Sequence, residues 1–144
     1  MIQRIQSIWL LLSAIGFGLN FVPSLFLLKT KTAGEGVLAD QMVQVTEHNL
    51  TLIGSIAAIV LILIAIFLYA NRPLQLIVSN LGSICFIVTA LGGAAWLCQS
   101  QGKFEEITPG IGFFTGFIGI ICIWLATRAI KNDEKLVKSM DRLR

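Results

Sequence analysis

The sequence predicts an all-α membrane protein: four transmembrane helices in a bundle, both termini cytoplasmic, and an amphipathic cytoplasmic helix at the C-terminus. Three observations carry this. The 144 residues are 56% hydrophobic and only 13% charged, whereas soluble domains carry roughly 25% charged residues. Residues 5–28, 49–71, 73–102 and 107–127 contain no Asp, Glu, Lys, Arg or His. Lys and Arg concentrate in the segments that such spans would place on one side of a bilayer. This composition excludes a soluble enzyme domain, a disordered chain and a nucleic-acid-binding module. The net charge of +3 is an orientation signal.

About 20 apolar residues in a helix cross a hydrocarbon core of about 30 Å. Backbone polar groups have no water partners there, so spanning segments are helices or closed barrels. The four stretches are continuously apolar and do not alternate at period two, which selects helices. The first span is placed at 8–28. It follows one Arg, exceeds the apolar length of a signal peptide, lacks a prompt small-residue cleavage site, and is read as retained. Asn20 and Pro23 interrupt it. The second and third spans, at 50–70 and 74–98, are split by Asn71-Arg72-Pro73. Pro fits the first turn of a helix and disfavours helix in the residue before it, so these two spans form a short-linked antiparallel hairpin. The fourth span, at 109–126, is expected to begin with Thr108 as N-cap and Pro109 at the first helical position. The bundle domain is 1–127. Residues 128–144 follow with no Gly or Pro, and Ile130, Leu136, Val137, Met140 and Leu143 recur at helical spacing. Span four is therefore expected to continue as a basic amphipathic tail helix, with Glu134 and Lys138 as an i,i+4 pair.

Arg4, Arg72, Arg128, Lys131, Lys135, Lys138, Arg142 and Arg144 fall on one predicted side; Lys29, Lys31 and Lys103 fall on the other. That asymmetry places both termini in the cytoplasm. Trp9, Tyr69 and Trp124 sit at the expected inner interface and Trp96 at the outer. The first outer loop, about 29–49, has room for a short turn of helix or strand. The second, about 99–108, is short and acidic.

Chemistry needs titratable groups or metal ligands gathered at one place. His48 stands alone in the first outer loop. Cys85, Cys98 and Cys122 fall at different depths and form no C-x-x-C. Glu105 and Glu106 are adjacent and read as solvated loop residues. No ionisable residue lies inside a span, which argues against a proton-coupled pump. No catalytic residue, metal site or cofactor is expected. Asn20 and Asn80 are costly to expose to lipid and are expected to face neighbouring helices and hydrogen-bond there. Gly112-x-x-x-Gly116 with Gly119, and the small residues in every other span, allow close helix packing. The Gly112, Gly116 and Gly119 face is read as packing inside its own bundle, with an outward partner-binding face as the competing reading.

The start of the chain, Met1-Ile2-Gln3-Arg4-Ile5-Gln6-Ser7-Ile8, resembles a known bacterial family. So do the turn Asn71-Arg72-Pro73-Leu74-Gln75 and the close from Arg128 through Lys131, Asp133, Lys135 and Lys138 to Arg142 and Arg144. The chain looks like a member of the family catalogued as domain of unknown function 4293, small four-helix membrane proteins of Bacteroidetes-type bacteria. The likeness extends over the whole chain in length and helix layout. It implies an inner-membrane protein and carries over no catalytic or binding residues.

All three motifs lie on the predicted cytoplasmic face. Arg4, Arg72 and Arg128 are expected at similar depth, with Gln3, Gln6 and Gln75 nearby, and Arg72 is a candidate to hold the tail through Asp133 or Glu134. The eight basic residues of that face are candidates for partner or lipid contact. Three functions compete. The first is a non-catalytic structural or regulatory subunit of an inner-membrane complex, presenting its cytoplasmic helix to a protein partner. The second is a small homo-oligomeric transporter or channel component, with a polar surface at Asn20, Asn80 and Thr89. The third is a lipid-modifying enzyme, which lacks the cluster of His, Asp, Glu or Cys it would need.

Overall fold

Pro73 fits a helix without cost only in the first turn, where its missing N–H has no intrahelical partner to lose. The chain turns at Asn71 so as to use it there. Helix α2 (Asn49–Phe67) closes in a 3₁₀ turn, Leu68–Ala70, and helix α3 starts at Arg72. The computed structural model describes residues 3–101, 105 and 107–141, and of residues 3, 4, 138, 140 and 141 the backbone alone. Besides α2 it contains α1 (Gln3–Gly18), α3 (Arg72–Ser100, with a π-helical turn at Ile87–Leu91) and α4 (Ile111–Asp141). Three segments are long and apolar enough to cross a membrane: Asn49–Ala70, Arg72–Ser100 and Ile111–Val137. The fourth apolar helical stretch, Ile5–Phe21, is shorter.

That last point corrects the expected first span at 8–28. The α-helix starts earlier and stops at Gly18, with a 3₁₀ turn over Leu19–Phe21 and extended backbone at Val22. Asn20 ends the helix by turning its amide back, Nδ2 donating to the Gly16 carbonyl at 3.1 Å. Pro23 three residues later disfavours continuation. The chain then enters β1 (Leu28–Lys29), which pairs antiparallel with β2 (Met42–Val43) on one side and β3 (Thr108–Pro109) on the other. The start of span four is corrected by the same sheet. Thr108 does not cap the helix; its hydroxyl donates to the Lys29 carbonyl, and Pro109 occupies an edge strand, where it loses no ladder hydrogen bond. Helix α4 begins at Ile111.

The sheet closes one end of the bundle. The other end, here the terminal end, carries the start of α1, the α2–α3 turn and the C-terminal half of α4. His48 caps α2 at the sheet end, its Nδ1 accepting from the Leu50 N–H at 3.2 Å. Thr51 bonds the carbonyls of Val45 and His48.

The bundle is built from two copies of one hairpin. The buried stripe Gln6, Leu10, Ser13, Phe17 of α1 is matched by Gln75, Ser79, Gly82, Phe86 of α3 at one constant shift. The buried stripe Thr51, Ser55, Ala58, Ile62, Ala65 of α2 is matched at another by Gly112, Gly116, Gly119, Ile123, Ala126 of α4. The interhelical contacts follow the same exchange. Gly16 lies against the Thr115 carbonyl, and at the equivalent place the Cys85 thiol donates to the Gly54 carbonyl. Asn20 donates to the Thr115 hydroxyl at 3.3 Å, and the equivalent Thr89 packs its side chain where Gly54 leaves room. Phe17 and Phe86 are equivalent residues that touch each other, so they lie on the approximate two-fold axis. Their rings stack 3.9 Å apart and 2° from parallel.

Large apolar side chains cover the outside of the helices. Ile53, Phe67, Val88, Phe117 and Ile118 are all more than half exposed. A water-soluble surface rarely presents apolar patches of this extent. A bilayer accommodates them.

Candidate functional site

Helix α4 buries Gly119, Ile123, Ala126, Ile130 and then Asp133. This stripe keeps its helical period past the last apolar turn, so the same face that packs the bundle also seats the start of the tail. A carboxylate in such a stripe needs a charged partner. Arg72, at the first position of α3, supplies it: Nη2 lies 2.9 Å from Asp133 Oδ2, and Nη1 donates to the Asp133 backbone carbonyl at 3.4 Å. The pair is partly shielded, with side-chain exposures of 22% and 11%. Pro73 fixes the backbone beside Arg72, so the guanidinium is held over the end of the bundle.

The residues flanking this stripe turn outward into a groove between α3 and α4. It has a volume of about 530 Å³ and is lined by Asn80, Trp124, Thr127, Arg128, Lys131, Asn132 and Lys135. The Arg128 guanidinium sits 5.7 Å from the centre of the Trp124 ring, a cation–π distance. Arg72, with Glu134 and Val137, borders a second groove beside the α2–α3 turn. A third groove, between α1 and α4, is apolar and has Gly16 in its lining.

The predicted basic residues are thus brought together in part. Arg128, Lys131 and Lys135 share one groove. Arg72 is engaged with the buried face of α4. The side chains of Arg4 and Lys138, and Arg142 and Arg144 altogether, lie outside the described residues. Gln6 and Gln75 are buried at the terminal end.

Asn20 is 1% exposed and bonded between α1 and α4. Asn80 is corrected in part: it is exposed and lines the groove towards α4, but among the described residues no hydrogen bond joins its side chain to a neighbouring helix. The signal was available in the sequence. Gln75, Ser79, Gly82 and Phe86 form the buried face of α3, and residue 80 stands about 100° from Ser79, off that stripe. The three glycines of α4 face inward. A Cβ on Gly112 would meet Asn20 and the carbonyls of Leu25 and Phe26, one on Gly116 would meet the Phe86 ring, and one on Gly119 would meet the Phe17 ring. The reading of these glycines as an outward face is therefore overturned. The polar surface expected at Asn20, Asn80 and Thr89 is not assembled either. The first lies between α1 and α4, the second lines the groove between α3 and α4, and Thr89 bonds the Cys85 carbonyl beside Gly54.

Other candidate groups are scattered. His48 is a cap at the sheet end, edge-on to Trp96. Cys98 and Cys122 are buried. Gln101 bridges the backbone N–H and C=O of Glu35. Glu47 accepts from the Gln44 N–H, and partial burial raises its carboxyl above the ordinary range. Among the described residues no group of three or more His, Cys, Asp or Glu is placed to hold a metal.

An apolar helical bundle with three helices long and apolar enough to cross a membrane is consistent with a membrane protein. The chain belongs to the family described as Domain of unknown function (DUF4293), whose family model matches residues 2–143. No curated protein and no solved structure matches it.

Proposed function

We propose that the chain is a non-catalytic structural or regulatory subunit of a bacterial inner-membrane complex. In this reading all four helices cross the bilayer, both termini are cytoplasmic, and α4 is carried into the cytoplasm to present a helix to a protein partner. The observation that supports it best is the Arg72–Asp133 ion pair at 2.9 Å. Together with the buried Ile130, it makes the first turns of the tail a rigid continuation of the bundle. A helix held at a fixed angle loses less entropy on docking than a free tail. Leu136, which is half exposed, stands about 60° round the helix from Asp133, on the other side of the tail from Lys131 and Lys135. An exposed apolar side chain on a rigid helix suits a partner with an apolar groove.

The bilayer orientation follows from the excess of Lys and Arg at the terminal end. A cysteine introduced at Ser139 tests it: reaction with an impermeant maleimide only after the membrane is broken agrees with the reading, and reaction in intact spheroplasts contradicts it. Partner binding is tested by extraction in mild detergent. The full chain is expected to leave the membrane in a discrete stoichiometric complex, and a chain ending at Asp133 is expected to insert normally but lose the partner. Recovery of the full chain as a lone monomer overturns the subunit reading. A homo-oligomer without other subunits moves a transporter or channel component into its place.

A further inference from the structure

We infer that the groove between α3 and α4 binds the headgroup of an anionic phospholipid. The two-hairpin repeat isolates what is special about it. By the two shifts of the repeat, its places on α3 and α4 correspond to Leu11 on α1 and Leu63, Ile66 and Phe67 on α2. Three of these, Leu11, Leu63 and Phe67, are exposed large hydrophobics, as expected of a lipid-facing surface. In the second hairpin the same four places hold Asn80, Trp124, Thr127 and Arg128. Lys131 and Lys135 extend the line along α4. One copy of a lipid-facing groove has thus been made polar and cationic while the other stayed apolar.

Asn80 is the residue that a general surface attraction does not explain. It lies eight residues into α3 from Arg72, about 12 Å along the helix at 1.5 Å per residue. It is exposed, and among the described residues no hydrogen bond holds its amide. An unpaired amide facing hydrocarbon is costly. A phospholipid seated in the groove relieves that cost. Its phosphate lies among Arg128, Lys131 and Lys135, where cations between helices near the interface attract anionic headgroups. Its glycerol esters lie one step deeper, within reach of an Asn80 N–H. Trp124 covers the junction, as interfacial aromatics do, and its ring steadies the Arg128 guanidinium. The groove's 530 Å³ admits a headgroup and leaves its acyl chains along the apolar outer face of α3.

This inference rests on the reading that the helices span a bilayer with the terminal end at its basic interface. The maleimide experiment tests that reading separately. The test here is sidedness-free: the full chain with Trp9→Phe and Trp96→Phe is placed in nanodiscs of phosphatidylcholine with a minor fraction of phosphatidylglycerol, and either lipid is brominated. Quenching of Trp124 is expected to be several-fold stronger with brominated phosphatidylglycerol. Asn80→Leu, which changes no charge, is expected to remove much of that preference. Replacing Lys131 by Gln is expected to lower it roughly fivefold, the factor carried by one surface cation. Equal quenching by the two lipids overturns the proposal. A preference that survives Asn80→Leu but falls with each lost cation also overturns it, because that result describes diffuse charge attraction and no seated lipid. Circular dichroism of each variant separates these outcomes from misfolding.

Discussion

Phe17 and Phe86 place two large rings at the axis of the bundle, with Gly116 and Gly119 shaped around them. Truncating a fully buried Phe costs about 3–5 kcal/mol. Phe17→Ala is therefore expected to lower unfolding stability by that amount in a detergent-denaturant titration. A cycle with Phe86→Ala should show a coupling of about 0.5–1.5 kcal/mol, the value of a stacked pair beyond its buried area. A coupling near zero would mean that the rings do not meet. At the sheet end, Glu47 has its carboxyl raised, first by desolvation, against the backbone bond from Gln44, and with a smaller push from Asp40. The folded state then holds the Glu47 proton more tightly than the unfolded state. Its contribution favours folding at low pH and is lost as pH rises through the raised carboxyl range. Glu47→Gln is expected to flatten that part of the pH–stability curve; an unchanged slope would contradict the assignment. Residue roles were the least legible part of the sequence. Asn20 and Asn80 read alike as polar residues in apolar stretches, and only the phase of each helix separates a buried bond from an exposed amide.

Whole helices were more legible, because continuous apolarity and the Asn71-Arg72-Pro73 break are local signals. The structure moves the edges of the two inner elements by one to three residues and the start of the last by two. It moves the first most, from an end at 28 to one at Gly18, and the small sheet recruits Leu28, Lys29, Thr108 and Pro109 through pairings between distant segments. Helix α1 is the shortest of the four as an apolar segment. If it spans, as proposed, the 17 residues of Ile5–Phe21 cover about 25 Å at 1.5 Å per residue, and its end lies close to the outer surface. A cysteine at Ser24 should then react with an impermeant reagent in intact spheroplasts, and protection there would show that α1 stays within or below the bilayer. The tail of α4 was readable as a helix from its spacing and its lack of Gly or Pro. Its clamp was readable only as a candidate, since Arg72 and Asp133 are far apart in sequence. Losing the Arg72–Asp133 interaction removes about 1.5–3 kcal/mol, the range of a hydrogen bond to a charged group. Arg72→Ala is expected to speed protease cleavage after Lys131 and Lys135 several-fold in inverted vesicles while leaving the bundle intact. Unchanged cleavage would show that the ion pair does not order the tail.

The molecule as a whole is a pair of helical hairpins around an approximate two-fold axis. That relation escapes a reading of the sequence for a physical reason. Bilayer-facing positions accept almost any apolar residue, so the repeats retain burial pattern far better than identity. The outer loop of the first hairpin is also longer, so the odd and even helices match at different shifts. Once the repeat is seen, its departures from symmetry stand out: an extended, clamped fourth helix and a groove made basic on one side only. Both lie at the terminal end, where the sequence also gathers most of its Lys and Arg. The chain's chemistry is concentrated in this end, and partner binding is the proposed use of it.

Site-specific photocrosslinking in native membranes tests that use most directly. A photoreactive residue replaces exposed Leu136 in one chain and buried Ile130 in another. A discrete protein adduct from position 136, absent from 130 and lost when Arg72 is replaced by Ala, is the predicted result. Lipid adducts alone from position 136, with no protein product, would contradict the account.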